Sequence, residues 1–122
     1  MTKHAVVALS ENLYLSLAQQ NARVKVSVLC PGWVKTRIMS SARNRPVELQ
    51  DEPTPVSPEL QAVWDAFRAA VDAGMSPQEV ADHVFAAIKE ERFYILTHPE
   101  ATPVIEERMQ NILHAHNPRS PF

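Results

Sequence analysis

Between Ala5 and Ala18 the only polar positions are Ser10, Glu11, Asn12 and Ser16, and every other residue is apolar. The stretch predicts a helix apolar nearly all round, the kind that is covered on more than one side. After the polar turn "QQNAR" comes "VKVSVLC", Val24 to Cys30, where Val24, Val26, Val28 and Cys30 alternate and Leu29 adds apolarity. That pattern predicts a mostly buried strand of the parallel type. Helix, short turn and buried strand together make half of a β-α-β unit. The next segment, "MSSARNRPVELQDEPTPV", holds three prolines and both charge signs and has no period. Connections that long in a compact domain are lids or disordered segments.

Periodicity returns at Ser57-Pro58, an N-cap followed by a first-turn proline. Leu60, Val63, Trp64, Phe67 and Val71 follow at helical spacing, with Gly74 as the expected stop. Ser76-Pro77-Gln78-Glu79 has the spacing of a capping box and leads the helix of Val80, Ala81, Val84, Phe85, Ala87 and Ile88. "RFYILTHP" predicts a short strand closed by a proline. Thr102-Pro103 opens a last helix with Val104, Ile105, Met109, Ile112 and Leu113 as its stripe. The predicted order is helix, strand, lid with helix, helix, strand, helix, in a single partial domain over 1–122 with a lid region over 37–75. Two parallel strands do not make a stable sheet alone, and the helices carry more apolar surface than two strands can cover. The fold class expected is therefore α/β, the C-terminal half of a Rossmann-like doubly wound parallel sheet whose N-terminal half is missing. The abrupt apolar start agrees, since termini fray unless tied down, and residue 1 is not expected to be where the fold begins.

Composition narrows the function. The 122 residues carry 45% hydrophobic side chains and a net charge of −2, so neither nucleic acid nor an anionic membrane is called for as a partner. No apolar run approaches the roughly 20 residues that span a bilayer, and Ser10, Glu11 and Asn12 interrupt any signal-like stretch. Cys30 is the only cysteine, which rules out an intramolecular disulfide and favours the cytoplasm. Gly32 and Gly74, the only glycines, are too far apart to build a phosphate-cradling loop.

The sharpest chemical signal is "VSVLCPGWVKT". A buried strand ending in Pro-Gly places a tight turn at the carboxyl edge of a sheet, where open α/β folds bind ligands. Pro31 fixes φ, Gly32 permits a close backbone approach, Val34 offers its N–H and C=O, and Thr36 can add a hydroxyl. Taken alone, Pro-Gly is more often an ordinary strand-to-loop turn. Lys3, taken alone, is a solvated lysine near a terminus.

Together they make a more specific pattern. "TKHAVVALSENLYLSLAQQ" followed by "VSVLCPGWVKT" resembles the short-chain dehydrogenase/reductase family, which has Tyr-x-x-x-Lys at the head of a long apolar helix, then a strand and a Pro-Gly-x-Val/Ile-x-Thr turn. "MSPQEVADHVFAAIKEERFYILTHP" resembles the family's last helix and strand, so the likeness covers essentially the whole chain. The resemblance implies an NAD(P)-dependent oxidoreductase of the alcohol dehydrogenase or carbonyl reductase type, with NAD or NADP as cofactor. It implies that Lys3 holds the nicotinamide ribose hydroxyls and lowers the pKa of the catalytic tyrosine, an effect a nearby cation has on physical grounds. Pro31, Gly32, Val34 and Thr36 would hold the nicotinamide carboxamide. Trp33, Met39, Trp64 and Phe67 would form the wall of a small apolar hydroxyl or carbonyl substrate, although helix packing explains Trp64 and Phe67 equally well. The family's interfaces imply a homo-oligomer, through the Ala5–Ala18 helix and the C-terminal strand and helix.

The departures are equally plain. The family's tyrosine lies four residues before Lys3, and its serine, asparagine and Gly-rich fingerprint lie further upstream, so all fall outside this sequence. Tyr14 and Tyr94 stand too far from the motif to replace it. Acid catalysis worth about 10²–10⁴-fold would be absent. The isolated chain is expected to be truncated, inactive and a poor binder of cofactor. The alternative is a non-catalytic fragment that acts only with a full-length relative or a complementary half. A small helical binding module is disfavoured by the buried-type strand.

Other residues read blandly. His114 and His116, at i and i+2, fall on different faces of a helix. His98 reads as a turn residue, Cys30 as a small core hydrophobe, and Ser10 lacks the glycines of a nucleophile elbow. Arg37, Arg43 and Arg45 read as a solvated loop. No metal site is expected.

Overall fold

The computed structural model describes residues 2–49 and 56–118. The chain divides into two compact units, one of residues 1–32 with 83–122 and one of residues 33–82.

The first unit opens with helix α1, Thr2–Gln19, which contains the expected Ala5–Ala18 helix. Strand β1, Val28–Cys30, pairs in parallel with β2, Tyr94–Leu96, in the register Val28↔Tyr94, Leu29↔Ile95 and Cys30↔Leu96. The strand expected over Val24–Cys30 is thus shortened to its last three residues. Only this part has a laddered neighbour, and a strand extends no further than the partner that takes its hydrogen bonds. The ladder is continued by the Val28 N–H, which donates to the Phe93 carbonyl at 2.8 Å. The Ser27 hydroxyl donates to the Arg92 carbonyl at 2.7 Å. Helix α1 meets this segment through Tyr14, whose ring centroid lies 5.0 Å from that of Phe93, and through Glu11, whose Oε1 accepts from the Tyr94 hydroxyl at 2.6 Å. Val28, Ala87, Ile95 and Thr97 are the buried residues of this unit. Beyond β2, a 3-10 turn at Pro99–Ala101 leads into the last helix, Thr102–Leu113. Thr102 is its first residue rather than its cap. Ala101 occupies the cap position, and no side chain bonds there.

The second unit contains two 3-10 helices, Ile38–Asn44 and Val47–Leu49, within the segment expected to be irregular. The Arg43 guanidinium holds the first together by donating to the carbonyls of Arg37 and Ser40 at 2.8 and 2.9 Å. Residues 50–55 of the expected lid lie outside the described residues. Helix α2, Pro58–Asp72, is capped by Ser57, whose side chain accepts from the Leu60 N–H at 3.3 Å. Helix α3, Pro77–Lys89, starts in this unit and continues from His83 as part of the first, and it begins with both bonds of the capping box. The Ser76 N–H donates to Glu79 Oε2 at 2.9 Å, and the Glu79 N–H donates to Ser76 Oγ at 3.2 Å.

Gly74 does not end α2 in the expected way. No glycine of the chain has positive φ, and the C-cap of α2 is Ala73 in the right-handed region. Gly74 is needed for space instead. A Cβ there would lie 2.6 Å from the carbonyl carbon and oxygen of Trp33 and 2.9 Å from the Val34 nitrogen.

With no glycine at the other helix ends, ordinary residues take the left-handed position. Asn21, Glu91 and Ala115 have φ of 50°, 54° and 53°. Each sits in a Schellman arrangement, in which the following N–H reaches back five residues: Ala22 to the Leu17 carbonyl at 3.0 Å, Arg92 to Ala87 at 2.9 Å and His116 to Asn111 at 2.8 Å.

The chain exposes 10487 Å², where a folded protein of 13.7 kDa presents about 6,600 Å². Large apolar side chains contribute to the excess. Leu9 (71%), Leu13 and Leu15 of α1 are exposed, as are Phe85, Ile88 and Leu113. This bears out the expectation that the elements carry more apolar surface than two strands can cover.

Candidate functional site

The carboxyl ends of β1 and β2 lie side by side in the register Cys30↔Leu96. The next residues are Pro31 and Gly32 on one strand and Thr97 and His98 on the other. Here the Gly32 N–H donates to His98 Nδ1 at 3.0 Å, and Thr97 Oγ1 lies 2.7 Å from the same nitrogen. Thr97 is 1% exposed, so its hydroxyl depends on that partner. A Cβ at Gly32 would stand 2.7 Å from His98 Cγ and 2.8 Å from Cδ2. Gly32 was expected to let the backbone approach a ligand; in this structure the group that lies against it is the His98 imidazole. His98 had read as a turn residue. It does stand at the N-cap position of the 3-10 turn, and its ring holds the neighbouring strand end as well. Nothing near position 98 in sequence signals this, because the two residues are 66 positions apart.

In the second unit, Val34 forms a parallel bridge with Met75. The two bonds of the bridge belong to Val34's neighbours: the Met75 N–H donates to the Trp33 carbonyl at 3.0 Å, and the Lys35 N–H donates to the Met75 carbonyl at 2.9 Å. In a parallel bridge that pattern turns the central residue's own N–H and C=O to the opposite side. Among the described residues nothing takes up either group of Val34. The residue is half-buried, and Thr36 two positions on is exposed. The absence of a Cβ at Gly74 is what lets Met75 come this close.

Of the expected substrate wall, Trp33 and Phe67 are brought together with ring centroids 5.7 Å apart and planes at 69°. Trp64 lies one turn before Phe67 on α2, and Met39 on the first 3-10 helix is half-buried. Trp33, Trp64 and Phe67 each keep close to half of their surface exposed. Lys3 stands in the first turn of α1, exposed.

Among the described residues three groups are shifted from their ordinary values. Burial pushes the Cys30 thiol up, which makes it a poorer nucleophile. Tyr94 is raised, first by its hydrogen bond to Glu11. Glu59, in the first turn of α2, is lowered by backbone hydrogen bonding and by the Ser57 side chain. His114 and His116 do not occupy a regular helix, as had been expected. The helix ends at Leu113, and the left-handed Ala115 between them brings the rings to 5.8 Å. Among the described residues no group of three His, Cys, Asp or Glu side chains could hold a metal ion, and no helix is long and apolar enough to cross a membrane.

No family model matches the chain. Known proteins do, among them two. One is a "CLA biosynthesis dehydrogenase/reductase" of Lactiplantibacillus plantarum, 34% identical over 114 residues, which are 92% of this chain and 40% of that protein. The other is a crystal structure of a short-chain dehydrogenase/reductase from Burkholderia phymatum in complex with NAD. It is 39% identical and superposes with a TM-score of 0.82 over 98% of this chain and 42% of its own. Over nearly its whole length the chain is similar to short-chain dehydrogenase/reductases. It is α/β, with its two strands matching part of a Rossmann-type fold, and it spans about two fifths of the length of the relatives it matches. That share is consistent with a C-terminal fragment of the fold.

Proposed function

We propose that this chain carries the nicotinamide side of a short-chain NAD-dependent oxidoreductase, acting on a small apolar alcohol or carbonyl compound in the cytoplasm. The observation that carries the proposal is Val34. Its N–H and C=O stand on one residue, are unclaimed among the described residues, and are held by a bridge that uses only their neighbours. A primary carboxamide offers the complementary pair, an acceptor oxygen and a donor NH2. The donor set therefore fits a nicotinamide.

Bound NAD supplies the hydride acceptor or donor, and the chain's own groups position it. Val34 pairs with the carboxamide and fixes which face of the ring is presented. Thr36 adds its hydroxyl, and Pro31 stiffens the approach of the strand to the turn. The Lys3 ammonium donates to ribose hydroxyls and favours the ionised form of a nearby phenol. That phenol, the proton donor to the substrate oxygen, is supplied from outside this sequence, as is the site for the adenine and pyrophosphate. The isolated chain accordingly turns over no substrate. The Trp33–Phe67 pair supplies the apolar surface for the substrate. The exposed leucines of α1 support association with a further copy or a complementary half.

The test uses nicotinamide mononucleotide, the half of the cofactor this chain is proposed to hold, with adenosine monophosphate as control. With the adenine contacts absent, affinity on the order of 1 mM, about 4 kcal/mol, is expected. The amide resonances of Val34 and Thr36 should shift saturably with the nicotinamide nucleotide and stay put with the adenine one. Val34→Pro, which removes the N–H but neither atom of the bridge bonds, should abolish the shift that remains observable, at Thr36. No shift at Val34, or equal shifts with both nucleotides, would overturn the proposal.

A further inference from the structure

The amide of Gly32, at the start of the Pro31–Thr36 turn, is already committed, and the group that takes it comes from the other strand. The Gly32 N–H donates to His98 Nδ1 at 3.0 Å. In this bond the ring nitrogen is the acceptor and the main-chain N–H the donor. Thr97 Oγ1 lies 2.7 Å from the same nitrogen. The Thr97 side chain is buried, so this contact also prevents the cost of an unsatisfied buried hydroxyl. The ring lies so close that residue 32 has room for no Cβ. Hydrogen bonding, burial and steric exclusion all converge on one imidazole.

We propose that His98 is a positioning residue for the Pro31–Gly32 turn. Its Nδ1 ties the end of β1 to the end of β2 and withdraws the Gly32 amide from ligand binding. In cofactor recognition, a role that rests on the function proposed above, the Val34 N–H and the Thr36 hydroxyl are then among the donors left on this turn. Gly32 is a glycine because of the protein's own histidine, and its amide makes no contact with the nicotinamide.

The experiment needs no ligand. In the 15N-labelled chain a scalar coupling across the hydrogen bond should connect the Gly32 amide nitrogen to His98 Nδ1. The Gly32 amide should also be protected from solvent exchange. In His98→Asn, the side-chain oxygen can take the place of Nδ1, and protection should be retained. In His98→Ala it should fall by about tenfold, the equivalent of roughly 1.4 kcal/mol. The Val28 amide, bonded to the Phe93 carbonyl, is the internal control, and its exchange should not change in either variant. A missing coupling, or equal loss of protection in Asn and Ala variants, overturns the proposal. So does a parallel loss at Val28, which would mark a merely structural role. Failure of nicotinamide nucleotide to shift Val34 would leave the coupling standing, so the two readings fail separately.

Discussion

Gly74→Ala separates two arguments that predict opposite signs. Gly74 has ordinary negative φ, and at such a position replacing glycine by alanine restricts the unfolded chain and stabilises by about 0.4–1 kcal/mol. The surroundings argue the other way. The new methyl carbon would stand 2.6 Å from the carbonyl carbon and oxygen of Trp33 and 2.9 Å from the Val34 nitrogen. These are main-chain atoms, so no rotamer change relieves the overlap. The backbones must separate, and the bonds they would lose are Met75 N–H to the Trp33 carbonyl and Lys35 N–H to the Met75 carbonyl. Two such bonds are worth about 1–3 kcal/mol together, and overpacking adds about 1 kcal/mol or more. After the entropic gain is subtracted, Gly74→Ala should destabilise by about 2–3 kcal/mol. Urea unfolding followed by tryptophan fluorescence suits the question, because Trp33 is one of the residues displaced. The expected result is a lower midpoint with an unchanged slope. A midpoint equal to or above that of the parent would refute the steric argument and, with it, the claim that Gly74 shapes the Val34 bridge.

Other expectations concern single contacts. Tyr94→Phe removes the donor to Glu11. The folded-state pKa of Tyr94 lies above its ordinary value, so this bond stabilises the protein below the unfolded tyrosine pKa and is lost as pH rises through the folded one. Alkaline titration followed by tyrosinate absorbance should show a late-titrating phenol in the parent that is lost in Tyr94→Phe. Ala115→Gly should stabilise by up to about 1 kcal/mol in thermal or urea unfolding, since alanine pays a steric penalty in the left-handed region where this residue sits. Ser76→Ala removes one half of the capping box and should cost about 1 kcal/mol, read as a lower midpoint of urea unfolding. Ile95→Ala opens the small core between β2 and its neighbours and should cost about 2 kcal/mol or more by the same measurement.

The features read correctly from the sequence are those decided within a few residues. Ser57-Pro58 and Ser76-Pro77-Gln78-Glu79 start helices where expected because a cap is local chemistry, satisfied three residues away. The family likeness was legible for a similar reason, since a lysine, a helix, a strand and a Pro-Gly turn fall in one continuous stretch. The reasons behind the glycines were not legible. Gly32 answers to a ring 66 positions away, and Gly74 answers to the backbone of Trp33. A glycine in sequence announces that space is needed and is silent about what occupies it. The extent of β1 was overstated for a related reason: alternation reports which side chains prefer burial, whereas the ladder ends where the partner strand ends.

The parallel pairing of Val28 with Tyr94 also has a consequence in time. Joining positions 66 apart costs about 3.7 kcal/mol in chain entropy before the first bond of the ladder forms. On the ribosome, at about 5–20 residues per second, β1 emerges roughly 3–13 s before its partner. Throughout that interval α1 is already out, with Leu9, Leu13 and Leu15 turned to solvent even in the finished fold. A nascent chain in that state is a substrate for chaperones before it is anything else, and the pace of translation between codons 30 and 94 helps decide how much of it escapes aggregation.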